Sequence, residues 1–108
     1  MTSEFKLAPS ILSADFADLK SALTQCESGG AHWIHIDVMD NQFVPNLTIG
    51  PPVVKSLRSK TNKFFDVHMM VIDPENLVEP FAKAGADMIS FHVEATNDIQ
   101  SVIDLIRA

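Results

Sequence analysis

The stretch WIHIDVMD, residues 33–40, decides the fold class because apolar and polar side chains alternate along it. Residues two apart in a strand face the same side of a sheet. Ile34, Ile36 and Val38 therefore form one wholly apolar face, while His35 and Asp37 lie together on the other. This pattern predicts a strand whose apolar face is covered by helices and whose second face carries a polar site.

Strand-like and helix-like stretches alternate along the whole chain. The four strand-like stretches are KLAPSILSA, HWIHIDVM, FFDVHMMV and DMISFHVEA. A predicted helix follows each of them, opening at Asp15, at Pro51-Pro52, at Asp73 and just before Ile99. Four βα repeats predict an α/β fold with a parallel sheet and right-handed crossovers.

Polar side chains of two neighbouring strands are predicted to meet at one point. His68 follows Asp66 by two residues, so both share the inward face of the third predicted strand. Adjacent strands lie about 4.8 Å apart, which lets His68 reach the same centre as His35 and Asp37. Two imidazoles and a carboxylate suit zinc, iron, manganese or cobalt, and Asp66 could support a ligand from behind. The alternative is that these side chains satisfy one another inside a packed barrel.

Composition limits the classes of protein to consider. A chain of 108 residues suffices for one domain, residues 1–108, with no second domain. The net charge of −6 argues against nucleic acid and anionic membranes as partners. No apolar run is long enough to span a bilayer, and MTSEFK lacks the pattern of a signal peptide. The single cysteine, Cys26, cannot form an internal disulfide and is interpreted as a small buried apolar residue. This is consistent with a reducing environment, so we expect a cytoplasmic protein.

Four blocks of sequence resemble the ribulose-phosphate 3-epimerase family of the pentose phosphate pathway. They are LAPSILSADF, WIHIDVMDNQFVPNLTIGPPVV, FFDVHMMV and AGADMISFHVEA, in this order from Leu7 onward. The resemblance implies a TIM (β/α)8 barrel, of which this chain covers four βα units as a half-barrel with a parallel sheet. It also implies a metal-dependent isomerase of carbohydrate metabolism, which interconverts D-ribulose 5-phosphate and D-xylulose 5-phosphate through an enediolate.

The resemblance also implies roles for individual residues. These are metal ligands His35, Asp37 and His68; a catalytic carboxylate, Asp37; substrate-binding groups Ser10 and His68; and a cap over the metal, Met39 and Met70. Without the resemblance, the two methionines would be read as ordinary core residues, and a strand-end serine would be a weak signal. His92 and Glu94 share the inward face of the fourth predicted strand, but no role is assigned to them.

One position departs from the family pattern. Asn41 stands in MDNQFVPN where the family usually has glycine. Asparagine is the non-glycine residue that best tolerates a positive φ, so the loop is expected to keep its shape.

Three functional hypotheses remain open. In the family, the second half of the barrel supplies another catalytic aspartate and glycine-rich phosphate-binding loops. Since closing a barrel takes about eight strands, we expect a homodimer, another homo-oligomer, or pairing with a C-terminal half-barrel that completes an epimerase. The alternatives are an inactive half-barrel that keeps the metal ligands, and a hexulose-phosphate 3-epimerase of the same superfamily.

Overall fold

The computed structural model describes residues 4–108 and contains one parallel sheet with helices on one face. Its strands are β1 (Trp33–Met39), β2 (Phe64–Met70) and β3 (Met88–Phe91), in the order β1-β2-β3. The α-helices are α1 (Leu19–Ser28), α2 (Pro51–Arg58), α3 (Val78–Ala84) and α4 (Ile99–Arg107). The predicted α/β class and the parallel sheet are confirmed.

The core lies between the sheet and its helices. The helix-facing side of β1 and β2 is fully buried, with 0% exposure at Ile34, Ile36, Phe65, Val67 and Met69. Burying one such side chain contributes roughly 1.5–3 kcal/mol. The helices complete the core with Leu23, Val54, Phe81 and Val102. Alternating burial along β1 and β2 confirms that the apolar face predicted from the sequence is the one that receives the helices.

The first predicted strand, KLAPSILSA, is not a regular strand. Leu7 and Pro9 do run beside β1, and the Pro9 carbonyl accepts a hydrogen bond from His35 N at 2.9 Å. Within the described residues, however, this segment forms only a single bridge, between Ser10 and His35. Proline has no N–H to donate to a ladder, and the chain then turns into a 3-10 helix, Ile11–Ser13. The described part of the chain therefore has three strands, not four.

The strand predicted from DMISFHVEA is shorter than expected. β3 ends at Phe91, and a 3-10 helix, Val93–Ala95, follows directly. The amide of Ala95 donates to the carbonyl of His92, which closes this turn. The expectation that Glu94 shares the inward face of a strand is therefore wrong, since Glu94 is an exposed residue of the turn.

Helix starts agree with the sequence in two cases and differ in two. α2 begins at Pro51, and the Asp98 carboxylate accepts from Ser101 N at the start of α4, as the helix signals indicate. Asp15 instead caps a short 3-10 helix before α1. Asp73 adopts a left-handed φ of 52° and makes no capping hydrogen bond. None of the helices in residues 4–108 has the length and apolar character needed to cross a membrane.

Arg58, the last residue of α2, joins the starts of β2 and β3. Its Nη1 donates to Gly85 O at 3.1 Å and to Asp87 Oδ2 at 2.9 Å, and its Nη2 donates to two carbonyls in residues 59–63. The guanidinium carbon lies 3.8 Å from the ring centroid of Phe65. Gly85 has a φ of +125°, and a Cβ there would lie 2.4 Å from Arg58 Cδ. The arginine is thus enclosed on several sides at the amino ends of the strands.

A candidate metal centre

Three side chains on the face opposite the helices converge at one point. His35 and Asp37 project from β1, and His68 projects from β2, where it stands directly opposite Asp37. One ligand atom from each of the three lies within 4.8 Å of the others. All three residues are partly buried. The structure thus brings together the three residues predicted as metal ligands.

Asp37 is at the centre of this group. Its Oδ1 lies 3.1 Å from His35 Nε2 and 3.1 Å from His68 Nδ1. Its Oδ2 accepts a hydrogen bond from the hydroxyl of Ser10. Ser10 therefore reaches the site from the segment that precedes the sheet, although that segment is not a regular strand.

Each imidazole has a second partner on its outer side. His35 Nδ1 lies 2.9 Å from Asp66 Oδ2, so the carboxylate that could support a ligand from behind contacts His35. His68 Nε2 lies 2.7 Å from His92 Nε2. This second contact was not predicted. Residue parity placed His92 on the inward face, but parity does not reveal which neighbour a side chain touches.

Comparison with known proteins identifies the family. The sequence model of the ribulose-phosphate 3 epimerase family matches residues 6–108. The chain belongs to this family. The match covers the residues that form the site, from Ser10 to His92, and confirms the family resemblance derived from the four sequence blocks.

Individual relatives show the same similarity. A protein of Treponema pallidum (strain Nichols), named ribulose-phosphate 3-epimerase, is 54% identical over 107 residues, which is 99% of this chain and 49% of that protein. A protein of Bacillus subtilis (strain 168) with the same name is 52% identical over 102 residues, 94% of this chain and 47% of that protein. The cytoplasmic isoform of Oryza sativa subsp. japonica is 50% identical over 104 residues, 95% of this chain and 46% of the isoform. The chain thus spans about half the length of the curated relatives it matches.

Met39 and Met70, for which the family resemblance implies a cap over the metal, end β1 and β2. They stand opposite each other in the β1–β2 register and are both partly buried. They project to the same side as Asp37 and His68, because each lies two residues further along its strand. This placement agrees with a cap, and the role itself stays a prediction.

The loop after β1 contains Asn41, the position at which the sequence departs from the family pattern. Asn41 adopts a φ of 60°, so asparagine accommodates the conformation that favours glycine. Asp40 stabilises the turn, since its Oδ1 accepts from Gln42 N and Phe43 N, each at 2.9 Å. Its Oδ2 accepts from Ile72 N at 2.8 Å, which joins this loop to the end of β2. Asn41 thus has the positive φ that asparagine tolerates, and the expectation that the loop keeps the family shape stays a prediction.

The surroundings of Asp37 favour its ionised form. Burial by itself would raise the pKa of Asp37, but the Ser10 hydrogen bond, the charge of His35, and the hydrogen bond and charge of His68 together outweigh it. The pKa of Asp37 is therefore lower than that of an ordinary aspartate. The carboxylate is ionised at neutral pH, as both a metal ligand and a general base must be.

We predict that Ser10→Ala raises the pKa of Asp37, because the substitution removes a hydrogen bond to the charged form. Carbon-13 NMR of the Asp37 carboxyl in the metal-free protein would measure the change during an acid titration. Ser13→Ala is the matched control, since Ser13 is exposed and lies three residues away. An unchanged pKa in Ser10→Ala would contradict the hydrogen bond from Ser10.

Proposed function

We propose that the protein containing this chain interconverts D-ribulose 5-phosphate and D-xylulose 5-phosphate, and that this chain supplies half of the site. The observation that carries the proposal is the convergence of His35, Asp37 and His68 in a chain matched to the epimerase family over residues 6–108. The name of the relatives, ribulose-phosphate 3-epimerase, favours a pentulose phosphate over the hexulose phosphate alternative.

The donor set suits a divalent cation. Two imidazole nitrogens and a carboxylate oxygen are typical ligands of zinc and iron, and also bind manganese and cobalt. Ligating histidines usually have an outer hydrogen-bond partner, and Asp66 and His92 stand in those positions. A bound cation would supply Lewis-acid stabilisation of negative charge on the substrate oxygens. The geometry therefore fits a metal centre that uses His35, Asp37 and His68.

Asp37 is proposed as the general base for the reaction. The hydrogen to be removed lies on a carbon next to a ketone and is only weakly acidic, so its removal needs a positioned base and yields an enediolate. Asp37 is ionised, oriented by Ser10, and projects to the side of the sheet opposite the helices. Ser10 and His68, which contact Asp37, are proposed to contact the substrate as well. Inversion then requires a second acid on the opposite face, for which the family resemblance points to an aspartate of the second half.

The shape of the chain supports a further proposal about assembly. The described residues form a slab whose principal extents are 42 × 41 × 23 Å, with helices on one face. On the other face, Trp33 and Phe64 stack with ring centroids 4.5 Å apart and remain partly exposed. Parallel sheets are normally covered on both faces. We propose that further strands cover this face, either from another copy of the chain or from a C-terminal half-barrel.

Both edges of the slab support the same proposal. Beyond β3, an open groove is lined by Ile89, Phe91, Ile103 and Ile106. At the opposite edge, a second groove is lined by apolar residues that include Leu7, Pro9, Ala22, Cys26 and Ala31. Apolar grooves at both edges are the places where added βα units would pack against the existing helices.

We predict that residues 1–108, expressed alone, do not persist as a well-folded monomer. The partly exposed Trp33 and Phe64 on the side opposite the helices, and the edge of β3 that is unpaired within the described residues, would drive association. Light scattering coupled to size exclusion would measure the mass, and the near-UV dichroism of Trp33 would report fixed packing. A monodisperse monomer at micromolar concentration with strong near-UV dichroism would refute this prediction. If the lone chain associates, adding a C-terminal half would show whether it replaces self-association.

We predict that the double variant His35→Ala, His68→Ala loses its bound divalent metal, because two of three ligands are gone. Elemental analysis after mild dialysis is the measurement. His32→Ala is the control, since His32 is exposed and contacts the Leu7 amide and not the site. Equal metal content in the double variant and the wild type would exclude this metal centre.

We predict that Asp37→Asn lowers the exchange of the substrate α-proton with solvent by about 10²–10⁴-fold, because an amide cannot act as the base. Exchange would be followed by NMR in deuterated water with the complete protein and ribulose 5-phosphate. Asp104→Asn, on the exposed side of α4, serves as the control. Near wild-type exchange in Asp37→Asn would remove Asp37 from the mechanism.

A further inference from the structure

We propose that His92 is a positioning residue that holds the His68 imidazole with Nδ1 turned toward Asp37. The inference rests on the proposed function only in that His68 is a proposed metal ligand. It concerns the orientation of one ring, which can be measured with or without a metal.

The contact between the two rings is a hydrogen bond. His68 Nε2 and His92 Nε2 are 2.7 Å apart, and the ring centroids are 4.9 Å apart with an angle of 33° between the planes. Two nitrogen lone pairs at this separation would repel each other, so one of the nitrogens carries the proton that joins them. On the other side of the His68 ring, Nδ1 lies 3.1 Å from Asp37 Oδ1.

The hydrogen bond matters because a metal needs an unprotonated nitrogen. If His68 Nδ1 binds a cation, the single proton of the neutral ring resides on Nε2. That Nε2–H then requires an acceptor, and His92 Nε2 is already at hydrogen-bond distance. Within residues 4–108, the contacts of the His68 ring nitrogens go to Asp37 and His92 alone. His92 thus offers the acceptor that His68 Nε2–H needs when Nδ1 binds a cation.

The two histidines of the site are held in complementary ways. His35 turns Nε2 to the centre and gives Nδ1 to the Asp66 carboxylate, which can only accept a hydrogen bond. In His68, Nδ1 faces the centre of the site and Nε2 contacts the His92 imidazole, which can either donate or accept a hydrogen bond. The His92 contact can therefore persist when the proton of His68 moves between its two nitrogens, as it must when a cation replaces a proton at Nδ1.

His92 is itself fixed by its surroundings. It directly follows β3, and its carbonyl accepts from Ala95 N at 3.0 Å. Its ring packs against Phe43 of the loop after β1, with centroids 5.2 Å apart. His92 is therefore held by the turn after β3 and by Phe43 of the loop after β1, in addition to its contact with His68. This separate support is what allows it to orient His68.

The test compares two variants of His92 in the protein as isolated. His92→Phe keeps an aromatic ring against Phe43 but removes the nitrogen. His92→Gln places an amide that can donate or accept near the position of Nε2. His32→Phe is the control for a new phenylalanine at a histidine position outside the site. In metal-free, nitrogen-15-labelled wild type, we expect a scalar coupling across the hydrogen bond between the two Nε2 nuclei.

The NMR order of the His68 ring and the affinity for zinc then distinguish a positioning role of His92 from a role in packing alone. We expect the NMR order parameter of the His68 Cε1–Hε1 bond to fall in His92→Phe and to be retained in His92→Gln. Calorimetric titration with zinc should show affinity about 10–100-fold weaker in His92→Phe, a typical loss for an outer-partner change, and near wild type in His92→Gln. Zinc-loaded wild type should show the His68 proton on Nε2 in the nitrogen-15 spectrum.

Each result decides the proposal. Absence of the coupling in the wild type, an unchanged His68 order parameter in His92→Phe, or equal losses in both variants would overturn it. If His92→Phe does not fold, the wild-type coupling and the order parameter in His92→Gln decide. If the wild type binds no zinc while the coupling and order parameters behave as expected, the proposed metal function fails and the positioning role of His92 stands.

Discussion

The register between β1 and β2 is the constraint on which the rest of the site depends. Asp37 stands opposite His68, and His35 stands opposite Asp66, so two polar pairs lie side by side on the open face. A shift of one residue would pair each of these side chains with a residue that faces the other side of the sheet. It would also move apolar residues out of the core. The buried apolar faces of the same strands therefore determine the geometry of the polar face.

Partners within the site offset the cost of removing so many polar groups from water. Asp37, both imidazoles, Asp66 and Ser10 form one connected set of contacts. A partly buried polar group that lacks a partner is costly, whereas a connected network holds each of its members in place. The arrangement that lowers the pKa of Asp37 is thus the same arrangement that orients the histidines.

Local patterns predicted much of this structure, and contacts between distant segments account for the differences. Parity along WIHIDVMD and FFDVHMMV was sufficient to predict the two faces and the meeting of His35, Asp37 and His68. Strand boundaries were less accurate. Pro9 interrupts the ladder beside β1, and the turn after Phe91 ends β3 early. The contact of His92 with His68 depends on where that turn places the ring, which no local pattern in the sequence specifies.

Arg58 lies at the end of the sheet opposite to the one toward which the candidate site is directed. It joins the amino ends of β2 and β3, while the candidate site occupies the face that leads to the carboxyl ends. The side chains that anchor the strands are therefore not the ones that would perform chemistry. Natural selection or a protein engineer could then vary the loops around the site to change its specificity, with the anchoring contacts left intact. Conversely, a substitution at Gly85 would lower the abundance of the protein in the cell, because the added Cβ would collide with Arg58. This collision lies far from any reacting group.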